Sequence, residues 1–172
     1  MKSYRAFLGW WIGGLIAFGI THSFHVPLVI DAVPGGILDH QAASTAAEVN
    51  RIQADWEAAG LLGQARTAML TDLVFIVIYS FGAWLGGLWF RRNGQGVVRV
   101  LGNVIVWAAV FFLLSDLGET ILQLKELLAG KGSNSYAAIH STLQPVKQVA
   151  WVISFVGIVI CIIADWLSRK RA

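Results

Sequence analysis

The chain has 172 residues, 56% of them hydrophobic and only 13% charged, where a soluble domain carries about 25% charged residues. Its formal charge of +3 is small, and the basic residues gather at the ends of apolar blocks. They therefore read as topology signals and exclude a nucleic-acid surface. One cysteine, Cys161, lies in an apolar run, which excludes an intramolecular disulfide and a cysteine-based metal cluster within one chain. Mean hydropathy is +0.65. It is concentrated in long blocks, a pattern that lipid explains and a water-soluble core of this size does not need.

A helix needs about 20 apolar residues to cross the hydrocarbon. The first candidate span covers residues 6–30, after Lys2 and Arg5. It exceeds the roughly 7–15 residues of a signal-peptide core, so it reads as a retained span, with cleavage after Ala32 as the alternative. His22 and His25 close this span, three residues apart. A long loop follows, and within it residues 39–59 contain neither Pro nor Gly. There Thr45, Val49, Ile52, Trp56 and Ala59 share one stripe, which predicts an amphipathic helix that lies on the membrane surface, caps the bundle or acts as a rigid connector. Trp56 suits a membrane interface.

The second span covers residues 68–90 and includes Asp72 and Tyr79. After the turn Arg91-Arg92-Asn93-Gly94, the third starts at residue 97 and keeps helical spacing to about residue 128, where Gly130 and Gly132 stop it. The fourth covers residues 146–167, opening just after Pro145 with Lys147. The expected fold is all-α, a membrane four-helix bundle with an amphipathic helix in the first outer loop, forming one transmembrane domain over residues 1–172. Two small-xxx-small pairs, Gly9 with Gly13 and Gly82 with Gly86, favour close helix packing within the chain or in a dimer.

Lys2, Arg5, Arg91, Arg92, Arg99 and the terminal Arg169, Lys170 and Arg171 fall on one side of a four-span topology. The loop over residues 31–67 carries five acids and two arginines. The positive-inside rule then puts both termini in the cytoplasm, and long helical spans point to a bacterial inner membrane.

With that topology, Asp72, Asp116, Glu119, Lys147, His22 and His25 all reach the outer third of the bundle. A charged side chain costs about 2.5–3.5 kcal/mol at mid-membrane, so a shared level for so many points to a site. Asp116 and Glu119 are three residues apart on one helix face. Tyr79 lies two turns beyond Asp72 and is placed to floor a pocket, as Trp151 and Ser154 follow Lys147 along its face. The ligand-binding candidates are therefore Asp72, Tyr79, Asp116, Glu119, Lys147 and Trp151. Three readings of the cluster stay open. One is a zinc or iron site that includes His22 and His25, although the Glu-x-x-His signature of metal-binding bundles is absent. Another is acid–base chemistry by a carboxyl pair, with no catalytic residue or cofactor assigned. The last is an ion-pair network that fixes helix register. His40 and His140 fall in outer loops and are expected to be solvated, Asn103 is expected at a helix contact, and Asp165 near the inner end of the last span.

Trp56, the run Asp72-Leu73-Val74-Phe75 leading to Tyr79, the run Asp116-Leu117-Gly118-Glu119, and Lys147 together resemble a loose group of small bacterial four-span membrane proteins of unknown function. The residue after the Glu is often Asn in that group and is Thr120 here. The resemblance implies that Asp72, Asp116, Glu119 and Lys147 act together. It implies no activity, and the histidines lie outside it.

Three functions follow as expectations. The first is a carboxylate-rich pocket that binds or transforms a small amphiphile or lipid-like ligand. The second is an accessory or structural subunit of a larger membrane complex. The third is a proton- or ion-coupled transporter acting as a homodimer, although no span is broken at mid-depth.

Overall fold

A computed structural model describes residues 2–171. The side chains of Lys2, Arg169, Lys170 and Arg171, which carry part of the charge argument, lie outside those described. The protein is all-α. Four helices are long and apolar enough to cross a membrane: α1 (Lys2–His25), α4 (Leu62–Asn93), α5 (Val97–Ala129) and α6 (Asn134–Arg171). Two short helices, α2 (Ile37–Ala42) and α3 (Ala46–Ala58), lie between α1 and α4 after a 3-10 turn at Val26–Leu28.

Contacts that run in opposite directions show the helices to be antiparallel neighbours. On α1 and α4, Gly14 faces Tyr79, Trp11 faces Gly82 and Phe7 faces Gly86. On α5 and α6, Asp116 meets Lys147 near one end, and Val98 meets Cys161 near the other. The start of α1 and the end of α6 thus lie at one end of the bundle, the terminal end. The loop helices sit at the opposite, distal end. The packing order is α1–α4–α5–α6, and the backbones of α1 and α6 scarcely approach each other. Those two helices meet through rings, Trp11 with Phe155 and Phe18 with Trp151, each pair 5.8 Å apart between centroids.

Small residues set the tight contacts. A methyl on Gly14 would stand 2.6 Å from Tyr79 Cα, and one on Gly82 would stand 2.5 Å from Trp11 N, so only glycine lets these backbones meet. The Gly82–Gly86 pair is therefore a contact stripe. The Gly9–Gly13 pair is not: Gly9 has open space around it, and Gly13 reaches only Ile78, 3.8 Å away. Gly14, one residue along, carries the contact, because the helical turn leaves Gly9 in open space and Gly13 at the edge of the α1–α4 seam.

The loop helix predicted over residues 39–59 is broken at residues 43–45 into α2 and α3. Thr45 caps α3: its side chain accepts from the Glu48 N–H while Glu48 reaches back to the Thr45 N–H, a reciprocal capping box that ends any continuous helix there. The Ser44 N–H, followed by the Thr45 groups, holds the exposed Glu48 carboxyl below its ordinary range. Val49, Ile52 and Trp56 of the predicted stripe pack inward on Leu28, Val33, Met69 and Leu127. Trp56 is fully buried and its indole N–H donates to the Leu28 carbonyl at 3.0 Å. It is thus an anchor inside the cap and not a residue of the membrane interface.

The spans are longer than their apolar cores. Helix α4 begins at Leu62, where Gln64 Nε2 donates to the Phe24 carbonyl at 2.8 Å, and α6 begins at Asn134. Pro145 therefore lies inside α6 and not before it. Its missing N–H weakens one turn, but the preceding turns are held because Ala137 and His140 bury against the cap. Asn134 Oδ1 also accepts from the Ala46 N–H at 2.8 Å, and Asn50 Oδ1 from the Gly132 N–H at 2.6 Å, so both ends of the α5–α6 turn are tied to α3. Gly130 ends α5 in the left-handed conformation.

Candidate functional site

Helices α4, α5 and α6 bring Asp72, Asp116, Glu119 and Lys147 together at the distal end, all buried. Lys147 Nζ donates to Asp116 Oδ1 at 2.9 Å and to Glu119 Oε1 at 2.8 Å. Lys147 is thus shared between the two carboxyl groups in a fork. The fork arises because Asp116 and Glu119 sit one helical turn apart and point the same way. Asp72 is only 5% exposed and makes no hydrogen bond or ion pair within 4 Å among the described residues. Its electrostatic neighbours are Asp116, Lys147 and Glu119.

These groups stand at the back of a cavity of about 750 Å³, within the ordinary size for a small-molecule site. Asp72, Asp116 and Lys147 line it. Its mouth lies between α1 and α6, where the backbones diverge, and its rim includes Phe18, Val26 and Val152, all half exposed. Leu38 and Gln41 of α2 roof it. The remaining wall is aromatic. Phe18 and Phe75 are 5.2 Å apart, Phe75 and Phe112 6.0 Å, and Trp151 joins through Phe18.

Trp151 lines the cavity, with its indole nitrogen buried and unpartnered. Tyr79 does not line it. Its ring packs beneath Phe75 and Phe112, and its hydroxyl meets Ser154 Oγ at 3.0 Å. Ser154 gives its own proton to the Trp151 carbonyl, so Tyr79 is the donor. Glu119 sits behind the ion pair, with Oε2 buried and unpartnered. His22 and His25 are both on the cavity wall, His22 exposed and His25 with a buried, unpartnered Nε2. No group of three metal-ligating side chains occurs among the described residues.

Comparisons with protein families, with curated proteins and with solved structures found no match.

A second polar region lies above the first. On α5, Asp116, Glu119, Gln123 and Glu126 follow each other at steps of three or four and all are buried. Gln123 Nε2 reaches Glu119 Oε1 at 3.5 Å. Glu126 Oε1 accepts from the Ser133 N–H at 2.8 Å. Glu126 Oε2 stands 3.2 Å from His140 Nε2, close but off the hydrogen-bonding angle. His140 Nδ1 is 3.1 Å from the Gln41 carbonyl, so that nitrogen carries a proton. The rings of His140 and His40 stack at 6.1 Å, and Gln53 Nε2 lies 3.4 Å from His40 Nε2.

His40 and His140 are therefore not solvated loop residues; both are fully buried. The reason is tertiary: α2 folds down onto α6, and neither segment shows this in its own pattern. Burial, and then the neighbouring His140, push the His40 imidazole down to about 3 from an ordinary 6.5. Gln123 and Glu126 were legible in principle, since they extend the Asp116–Glu119 face along α5. Asn103, expected at a helix contact, is exposed at the edge of an apolar groove between α5 and α6.

Proposed function

We propose that this integral membrane protein binds a small lipid-like amphiphile in the distal cavity, entered sideways from the bilayer between α1 and α6. The observation that carries the reading is the pairing of an apolar, aromatic-walled cavity with buried charged groups at its back. A tail fits the walls and the mouth, and a polar head fits the deep end. Pockets with mostly apolar walls and a few placed polar groups are the usual form of small-molecule sites. Asp72 and the Lys147 fork can also give and take protons, so the same groups are suited to transforming the bound molecule.

In this reading both termini face the cytoplasm across a bacterial inner membrane. Support comes from Arg91 and Arg92 in the last turn of α4 and from Arg5 and Arg99, all at the terminal end. The cavity then lies at the level of the outer leaflet, beneath the α2–α3 cap.

The test is a native mass spectrum of the protein extracted gently from its own membranes. The expected result is a retained small molecule on the wild-type chain. It should be lost in Asp116→Asn and in Gln148→Trp, an exposed mouth position whose bulk blocks entry without touching the ion pairs. A stoichiometric protein partner with no small molecule in any variant would overturn the reading in favour of an accessory subunit.

A further inference from the structure

Resting on the amphiphile reading, we infer that the ligand's head carries a positive charge: an alkylammonium amphiphile whose nitrogen sits against Asp72 and the ring wall. The buried groups supply the argument. Three carboxyl side chains, Asp72, Asp116 and Glu119, face one ammonium, Lys147. Lys147 is already shared between Asp116 and Glu119, which leaves Asp72 with no partner. An unpaired buried carboxylate is costly, and a cation is the occupant that compensates it. An anionic head would instead bring a further acidic group into a low-dielectric site that already sets three carboxyl groups against one ammonium.

The walls give an independent reason. Phe18, Phe75, Phe112 and Trp151 all line the cavity that Asp72 faces, and they are joined by ring contacts of 5.2–6.0 Å. Ring faces attract ammonium groups, and strongly so when water is excluded. A carboxylate beside several aromatic faces satisfies both the charge and the methyl or methylene groups around a substituted nitrogen. The mouth between α1 and α6 leaves the alkyl tail in contact with lipid, with Val26, Val29 and Val152 half exposed along it.

The experiment compares three probes of equal tail length, dodecyltrimethylammonium, dodecanol and dodecanoate, by competition in native mass spectrometry of the full chain in a neutral maltoside detergent. The expected order has the ammonium ahead of the alcohol by about tenfold or more, with the carboxylate weakest. Asp72→Asn should bring the ammonium and the alcohol to near equality, and Asp72→Glu should restore most of the difference. Trp151→Leu keeps an apolar wall and the charges but removes a ring face. It should cut the ammonium's advantage several-fold, and it serves as the test if Asp72→Asn does not fold. Equal binding of all three probes, or a preference for the alcohol or the carboxylate, would overturn the cationic head while leaving the amphiphile pocket standing. Failure of every probe to bind the folded wild-type chain would remove the pocket reading as well.

Discussion

The two halves of the bundle are built on opposite principles. At the terminal end, α1, α4, α5 and α6 pack glycine against backbone and ring against ring: Gly82 on Trp11, Gly86 on Phe7, and Phe7 on Phe90. At the distal end, with α2 added, the bundle holds buried carboxylates, a shared lysine, stacked histidines and a cavity. In lipid the gain from burying apolar surface is absent, so close contact and polar bonds hold helices together. The terminal half relies on close contact of glycine, backbone and ring and has little to lose by being rigid. The distal half accepts unpaired polar atoms and empty space, a combination that only a firmly packed remainder tolerates. The division marks which half is scaffold and which half is site.

The sharpest test of the division is Lys147→Met. It leaves Asp116 and Glu119 buried without a cation and is expected to cost about 3–5 kcal/mol, read from denaturant unfolding in maltoside micelles. An unchanged transition would mean that the carboxyls do not depend on the lysine. The scaffold half is probed by Gly82→Leu, which forces a side chain into the Trp11 backbone. Overpacking costs about 1–3 kcal/mol, and backbone as the obstacle puts this site at the upper end. Gly9→Leu, where space is open, should leave the thermal transition unchanged. Equal effects at the two glycines would refute the contact stripe.

The distal cap supplies a pH test. The unfolded chain takes up a proton at His40 below about pH 6.5, while the folded cap refuses it down to about 3. Stability is therefore full above pH 6.5 and falls as the pH drops through that window, by about 2 kcal/mol at pH 5 from this residue alone. His140, Glu126, Gln41 and Gln53 face or adjoin the same ring stack, so the wild-type slope is compared with that of His40→Gln. Identical slopes would show that His40 does not set the pH response. The smallest effect is expected from Thr45→Ala, which removes the capping box and should cost about 1 kcal/mol. Faster hydrogen exchange should be confined to α3, with α1 and the terminal half unchanged. Exchange that rose throughout the bundle would mean that cap and scaffold are one cooperative unit.

Much of the plan was legible before the fold. Four apolar blocks of spanning length and a stripe of Val49, Ile52 and Trp56 depend on composition and helical period alone. So does the alignment of Asp72, Asp116, Glu119 and Lys147 at one depth, because depth along a straight helix follows from residue number. Pro145 misled because proline weakens a helix locally, whereas whether the helix continues depends on what the preceding turns pack against. His40, His140 and Trp56 misled for the same reason: their burial comes from a cap folding down on a distant turn.

What the sequence by itself determined, then, is the class of the protein, its four helices long and apolar enough to cross a membrane, and the level at which its charges meet. Rotation about each helix axis was not determined, and it is rotation that made Gly14 a contact and Gly9 not, and Tyr79 a buried strut and Trp151 a wall. Nor did the sequence determine the order of packing, which leaves α1 and α6 apart and so opens the cavity. The physical reason is that period and hydropathy are properties of one helix at a time. A gap, a forked ion pair and an unpaired Asp72 exist only when several helices share a space.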